Sequence, residues 1–236
     1  MNRDAQSLLL VLVGAAITRI AVDHTALQYV RAWLSLWLLV AGSILIAIGL
    51  IALVRENGPW RRTSAGGQGS RMRVAWLLVV PVLAIFVIQP GALGAYSAAR
   101  GGGGVGQAPP DSNGFTPLPK GKPLPDTVKD FSERALWDHG RTLTGRHITL
   151  SGFVTPRDRQ HFYLTRMLIT CCAADASPIE IRIDGGGAGR PANTWVQITG
   201  TYAGIDHSQP AGEDPIPIVH AERIAVISQP KNPYAS

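Results

Sequence analysis

Charged residues are scarce in this sequence: Asp, Glu, Lys and Arg make up 16% of its 236 residues, against roughly a quarter in soluble domains. Its two cysteines are too few for a disulfide-stapled scaffold or a four-cysteine zinc site. Walker, H-E-x-x-H and G-x-S-x-G motifs are missing, so no motif indicates an enzyme. Because the mean hydropathy is also positive, the composition excludes both a disordered chain and an ordinary soluble globule.

The net positive charge lies entirely in the apolar N-terminal part. Residues 1–100 hold nine Arg, no Lys and three acids, whereas residues 101–236 hold 13 basic and 13 acidic residues. A basic protein often binds nucleic acid, but arginines beside apolar runs orient membrane helices. We therefore expect the lipid bilayer, and not nucleic acid, as the partner of these arginines.

Three apolar segments predict membrane helices. Residues 32–54 are 23 residues without a charge, which exceeds the about 20 that a helix needs to cross the hydrocarbon core. Residues 74–96 are also uncharged, and residues 5–22 form a shorter segment that carries Arg19. Residues 1–100 are therefore predicted to be a transmembrane domain with three helices.

The loop between the second and third predicted spans sets the orientation. It holds five arginines between residues 55 and 73, and basic loops tend to stay in the cytoplasm. Three spans then predict a multi-pass protein of the plasma membrane, with a cytoplasmic N-terminus and an extracytoplasmic C-terminal domain. A cleaved signal over residues 1–22 is less favoured, because no A-x-A site follows it.

The C-terminal part changes from a linker to a β-rich pattern. Residues 101–125 are rich in Gly and Pro and predict a flexible linker. In residues 126–236, a helical pattern over 126–139 is followed by five segments of period two. One helix and five short strands predict a small, mostly-β soluble domain, with an OB-like barrel as the preferred fold and a β-sandwich as the alternative.

Both cysteines of the protein, Cys171 and Cys172, are adjacent at the end of a predicted strand. Thiolates favour soft or borderline ions such as Zn²⁺ or Cu⁺, and two sulfurs alone do not complete a tetrahedral site. Candidate further ligands are Asp175, His161, His207 and His220. Two other interpretations stay open: a redox-active pair, or a structural role in which one cysteine is buried and the other is incidental.

The sequence around the cysteines resembles a family of bacterial membrane proteins. The segments that carry the resemblance are GFV at 152–154, TRMLITCCAADASP at 165–178, TWV at 194–196 and PKNPY at 230–234, together with PGALG at 90–94. The block R-x-x-I-x-C-C-x-A-D-A is the most specific of them. These segments and the order of the parts resemble the YcgQ-like family, uncharacterised proteins assigned to two-component permease complexes.

The resemblance implies a larger multi-pass membrane permease as the partner, and metal or metalloid handling as one activity. It also implies that the functional positions are Arg166, Cys171, Cys172, Asp175 and Trp195. The sequence therefore favours a non-enzymatic accessory subunit of a plasma-membrane permease that binds a soft ion, with zinc as one candidate. An extracytoplasmic thiol-redox or sensing protein is the alternative.

The predicted orientation is testable at Ser64, which lies in the basic loop. In a Cys171→Ser/Cys172→Ser background, Ser64→Cys is expected to react with a membrane-impermeant maleimide only from the cytoplasmic side, because the positive-inside tendency keeps that loop in the cytoplasm. The measurement compares intact cells with inverted vesicles. Labelling in intact cells would contradict the orientation.

Overall fold

The computed structural model describes two compact units, Met1–Gly91 and Ala92–Ser236. The residues that it describes are 3–23, 25–56, 91–101, 115–119, 124–125, 127–157, 161–186, 189–209 and 214–235. The boundary between the units lies at Gly91, whereas the sequence analysis ends the membrane part at residue 100.

Two helices dominate the described part of the N-terminal unit: α1 (Arg3–Val22) and α2 (Ala32–Glu56). They pack antiparallel with very close backbones, since a Cβ on Gly42 would lie 3.0 Å from the Gly14 carbonyl oxygen. Such contacts through small residues are common between helices in membranes, where apolar side chains gain nothing by leaving lipid. The glycines thus let the two helices form a tight hairpin.

Within the described residues, one helical stretch is long and apolar enough to cross a membrane, Ala32–Val54. A membrane span and a signal sequence share this property. Ser7–Val22 is a shorter apolar helix. Most of the third predicted span, 74–96, lies outside the described residues, and its described end is not one continuous helix: residues 91–94 have no regular secondary structure, and a separate short helix follows.

The C-terminal unit is a mostly-β domain, as predicted. Its strands are β1 (Leu124–Pro125), β2 (His147–Pro156), β3 (Phe162–Leu168), β4 (Ser177–Asp184), β5 (Trp195–Asp206), β6 (Ile216–Val226) and β7 (Tyr234–Ala235). Its helices are α3 (Ala95–Ala98) and α4 (Val128–Trp137), with a single 3₁₀ turn at Ala173–Asp175 between β3 and β4.

All seven described strands belong to one sheet, with the order β1-β2-β5-β6-β4-β3-β7 and an additional pairing of β2 with β3. The five long strands therefore pair in a cycle that returns to β2. The β4–β6 pairing is parallel, and the other four pairings of the cycle are antiparallel. Two separate sheets, as in a sandwich, are not formed by the described strands.

Helix α4 covers the main apolar core of the domain. Its first turn is capped by Thr127, whose hydroxyl accepts the Asp130 N–H at 3.1 Å, a favourable arrangement for an otherwise unpaired donor. Its apolar face buries Val128, Phe131 and Ala135 against the inward side chains of the strands. The three- and four-residue spacing of these positions is therefore a true sign of the buried helix face.

The last part of the predicted linker is part of the folded domain. Leu124–Pro125 pairs parallel with Ile148 and Thr149 of β2, and Leu118 packs against the core. The Thr116 carbonyl accepts from the buried Arg134 at 3.0 Å. The described residues 115–119 and 124–125 therefore contact the domain. A buried guanidinium requires acceptors, and composition alone does not reveal that requirement.

The residues just after the unit boundary also pack on the domain. We call residues 92–101 the strap; it contains α3 and crosses a second apolar cluster outside the main core. In this cluster Ala95 and Ala98 meet Phe153, Met167 and Ile169. The sequence analysis assigns the first half of the strap, residues 92–96, to a membrane span, because alanine and leucine suit both lipid and a protein surface.

Candidate functional site

Cys171 and Cys172 lie on the connection between β3 and β4, in residues 170–175, which we call the thiol loop. Leu168 pairs with Ser177 at the closed end of the hairpin, so the loop projects from the sheet. Both cysteines are free thiols, Cys171 exposed and Cys172 half-buried. Their sulfur atoms are 3.6 Å apart, so the loop brings both thiols to the same place.

The thiol loop is held by the carboxylate of Asp175. Its Oδ1 accepts the Thr170 N–H at 3.0 Å, and its Oδ2 accepts the Cys171 N–H at 2.8 Å. Charge-assisted bonds to backbone N–H groups are stronger than neutral ones. Asp175 therefore shapes the loop. Its spacing from the cysteines in the sequence does not distinguish this role from that of a metal ligand.

Hydrogen bonding at this carboxylate shifts two pKa values in opposite directions. The hydrogen bond to Asp175, followed by the one to Cys172, raises the pKa of the Cys171 thiol to about 11. The bonds donated by the Cys171 thiol and backbone lower the pKa of Asp175. At neutral pH Cys171 is therefore a thiol, and thiols are poor nucleophiles compared with thiolates.

The lowered pKa of Asp175 has a consequence for stability. A carboxyl group with a folded pKa below its usual value of 3.8 stabilises the fold above that value. The contribution is lost as the pH falls through the lowered folded pKa. The loop is therefore expected to keep its shape throughout the neutral range.

The predicted histidine ligands do not join the thiols. His161 precedes β3, and its Nε2 lies 3.8 Å from Asp184 Oδ1, while His220 is opposite Asp184 in the β4–β6 register. That end of the hairpin is separated from the thiol loop by the length of β3, roughly 20 Å for seven residues. His207 follows β5 in a different loop. The period-two sequence pattern does not show which strands are neighbours, so it could not predict these distances between the histidines and the thiols.

Metal ligation by protein groups alone is incomplete at the thiol loop. Across the parts of the chain that the structure describes, no three His, Cys, Asp or Glu side chains converge to hold a metal ion. The two sulfurs remain the donor pair. Any ion held there would need additional ligands from water or from another molecule.

Arg166 and Trp195 form a structural brace in the sheet that carries the loop. Arg166 donates to the Ser151 and Asn232 carbonyls at 3.2 and 2.8 Å, and its guanidinium carbon lies 5.2 Å from the Trp195 ring centroid. Burial lowers the pKa of Arg166. Because these contacts tie β2, β3 and the C-terminal segment together, both residues contribute to the site by supporting its framework.

Two residues that bind the strap, Asn193 and Tyr234, were not among the predicted site residues. Asn193 Oδ1 accepts the Ala95 N–H at 2.7 Å, and the Tyr234 hydroxyl accepts the Leu93 N–H at 3.4 Å. Asn193 has a φ of +65°, a conformation that Asn tolerates better than most residues. The available signal was the PGALG segment at 90–94, whose Gly94 leaves room for the Asn193 side chain.

Comparison with known families finds a DUF1980 C-terminal domain in residues 133–235. DUF1980 is the uncharacterised family of YcgQ-like proteins, so the resemblance seen at the cysteines is confirmed for this domain. The match covers the thiol loop, Arg166 and Trp195. No curated protein matches the chain.

The role of Asp175 is testable through the titration of Cys171. In a Cys172→Ser background, Asp175→Asn is expected to lower the pKa of Cys171 toward the ordinary value of 9.0, because the main cause of the upward shift is removed. Iodoacetamide alkylation is followed by mass spectrometry as a function of pH. Asp206→Asn is the control, since Asp206 bonds with Ser208 and Arg182 instead; equal profiles for both variants would refute the assigned role.

Proposed function

We propose that this protein, with its DUF1980 C-terminal domain, is a non-enzymatic accessory subunit of a plasma-membrane permease that captures a soft metal or metalloid ion. Cys171 and Cys172 are the proposed capture groups. The observation that carries the proposal is the presence of two free thiols, one exposed and one half-buried, whose sulfur atoms are 3.6 Å apart. Thiolate sulfur is the protein ligand best suited to soft ions.

The sulfur separation favours a bent chelate. With Zn–S bonds of about 2.3 Å, two sulfurs on a tetrahedral ion lie about 3.8 Å apart, whereas a linear two-sulfur complex would need about 4.6 Å. The distance of 3.6 Å between the thiols is close to the first value. Small rotations of the two side chains therefore suffice to hold one ion.

An incomplete ligand set suits capture and transfer. Structural zinc sites are closed by four protein ligands, whereas sites that exchange or react keep open positions. The two thiols leave such positions for water, for a counter-ligand or for a side chain of the permease. Because the thiols must lose protons on binding, the affinity for the ion is expected to rise with pH.

The N-terminal part provides the anchor in this proposal. The apolar helix Ala32–Val54 and the basic loop at 55–73 support a membrane-anchored chain. We propose three spans, a cytoplasmic N-terminus and an extracytoplasmic β-rich domain. The charge balance of residues 101–236 argues against nucleic acid as the partner, since that interaction depends on basic groups.

The cyclic pairing of the five long strands supports an OB-like barrel as the fold of the domain. OB-like barrels carry binding loops at the ends of a rigid strand framework. The thiol loop occupies such a position between β3 and β4. A fold of this kind does not assign a function by itself, so the proposal depends on the thiols.

A thiol-redox or sensing protein is the second candidate, favoured by the same adjacency of free thiols. A disulfide requires the sulfurs to approach to about 2.05 Å and one thiolate to attack. The raised pKa of Cys171, about 11, keeps that thiolate scarce at neutral pH. Ion binding also requires deprotonated sulfurs, so this pKa does not separate the two candidates. We prefer ion capture because the sulfur separation of 3.6 Å is close to that of a bent chelate.

Metal content is the direct test of ion capture. The full chain purified in mild detergent is expected to bind about one Zn²⁺ per chain and to lose it in Cys171→Ser/Cys172→Ser, because the sulfurs supply the affinity. Elemental analysis after dialysis measures the content. His161→Ala/His220→Ala is the matched control and should retain the ion, since these residues lie at the other end of β3.

The outcomes separate the candidate functions. Equal zinc in the wild type and the double cysteine variant would refute ion capture. Alkylation and mass spectrometry that reveal a vicinal disulfide forming and breaking would favour the redox candidate instead. A double variant that retains full cellular function would assign the pair a structural role.

The permease partner is tested on the same material. The tagged full chain, extracted from membranes in mild detergent, is expected to retain a larger multi-pass membrane protein, because polar and small-residue contacts hold membrane subunits together. Mass spectrometry identifies the retained protein. Recovery of the chain alone, after cross-linking in intact membranes, would contradict the accessory-subunit proposal.

A further inference from the structure

The strap, residues 92–101, contacts both ends of the thiol loop. Ile169 immediately precedes the loop, and Ala176 immediately follows it; both pack in the apolar cluster that contains Ala95 and Ala98 of the strap. The Gly101 end of the strap lies against Pro178, since a Cβ on Gly101 would be 2.8 Å from the proline Cδ. The loop therefore begins and ends on residues that the strap covers.

Polar contacts hold the other side of the strap. The Ala95 N–H donates to Asn193 Oδ1 at 2.7 Å, and this bond provides an acceptor for a backbone donor in the first turn of α3, where helical partners are missing. The Leu93 N–H donates to the Tyr234 hydroxyl at 3.4 Å. Two side chains from distant parts of the sequence thus fix the strap on the domain.

The strap is attached by few and small groups. Its fully buried side chains are the methyl groups of Ala95 and Ala98, and Ala92 and Leu93 are only partly buried. Gly94 and Gly101 permit close approach without adding apolar area. A segment with little buried apolar surface opens locally at a lower free energy than the core. Small changes in its neighbours can therefore shift its docking.

We infer that the strap and the thiol loop form one coupled unit, in which the state of the two thiols controls how firmly the strap is docked. The coupling is carried by Ile169 and Ala176, which flank the loop and pack in the same apolar cluster as Ala95 and Ala98 of the strap. Energetic coupling of this kind is reciprocal, so a loosened strap must also loosen the loop. The coupling stands on these contacts alone.

The position of the strap in the chain connects the coupling to the membrane part. The strap includes the C-terminal end of the third predicted span, residues 74–96 of the sequence analysis, and continues to Gly101. A change in its docking therefore acts on the chain segment that leads to the membrane part. Its use as a signal of ion loading rests on the proposed function.

Hydrogen exchange of the full chain in detergent tests the coupling without a bound ion. Asp175→Asn removes a charged acceptor from Thr170 and Cys171 and is expected to raise exchange at strap amides by about tenfold, within the range of known coupling free energies. Asp206→Asn, the same chemical change away from the strap, should leave strap exchange unchanged. Unchanged strap exchange in Asp175→Asn, or an equal rise in both variants, would overturn the inference.

Substitution of Asn193 tests the coupling in the opposite direction, from the strap to the thiol loop. Asn193→Gly keeps the positive φ accessible but removes the acceptor for the Ala95 N–H, and it is expected to raise the alkylation rate of the half-buried Cys172 several-fold through the reciprocal coupling. Asn193→Asp retains an acceptor oxygen and should restore the wild-type rate. Equal alkylation rates in Asn193→Gly and wild type would also overturn the inference.

Added Zn²⁺ separates this inference from the proposed function. Binding that slows strap exchange in the wild type, but not in Cys171→Ser/Cys172→Ser, supports both. Binding without a change in strap exchange refutes the coupling and leaves ion capture intact. Absence of zinc binding, with strap exchange raised by Asp175→Asn alone, refutes ion capture and supports the coupling.

Discussion

The carboxylate of Asp175 accepts the backbone N–H groups of Thr170 and Cys171, and the geometry of the thiol loop depends on these two bonds. They turn the chain sharply between β3 and β4, so that adjacent cysteines, which would point to opposite faces in a strand, bring their sulfurs to 3.6 Å. The same carboxylate raises the pKa of the Cys171 thiol. One side chain therefore affects both the position of the two thiols and the titration of Cys171.

The loop is only as rigid as the framework beneath it. Arg166 ties β3 to the Ser151 and Asn232 carbonyls and lies over Trp195. The contacts of Arg166 and Trp195 are therefore with the sheet that supports the loop. The strap covers the residues at either end of the loop. The thiols thus lie on a six-residue loop between β3 and β4. The braced sheet supports this loop, and the strap packs in the apolar cluster that contains the residues flanking it.

Much of the β-rich domain was predictable because its signals are local. The period-two segments correspond to β2, β3, β4, β5 and β6, and the helical spacing of Val128, Phe131 and Ala135 corresponds to the buried face of α4. The third span and the linker were harder to predict. Alanine, glycine and leucine at 92–98 satisfy the composition of a membrane helix as well as that of a strap on a protein surface, and only the partners Asn193 and Tyr234 distinguish the two.

The sequence by itself determined the apolar helix Ala32–Val54, the alternation of the strands and the adjacency of the two cysteines, since each depends on residues close together in the chain. The tertiary structure decided which distant groups meet. It places His161 and His220 beside Asp184, a strand's length from the thiols, and it engages Asp175 with the backbone of its own loop. Strand register and packing bring such groups together or keep them apart, and neither is encoded in the spacing of a short motif.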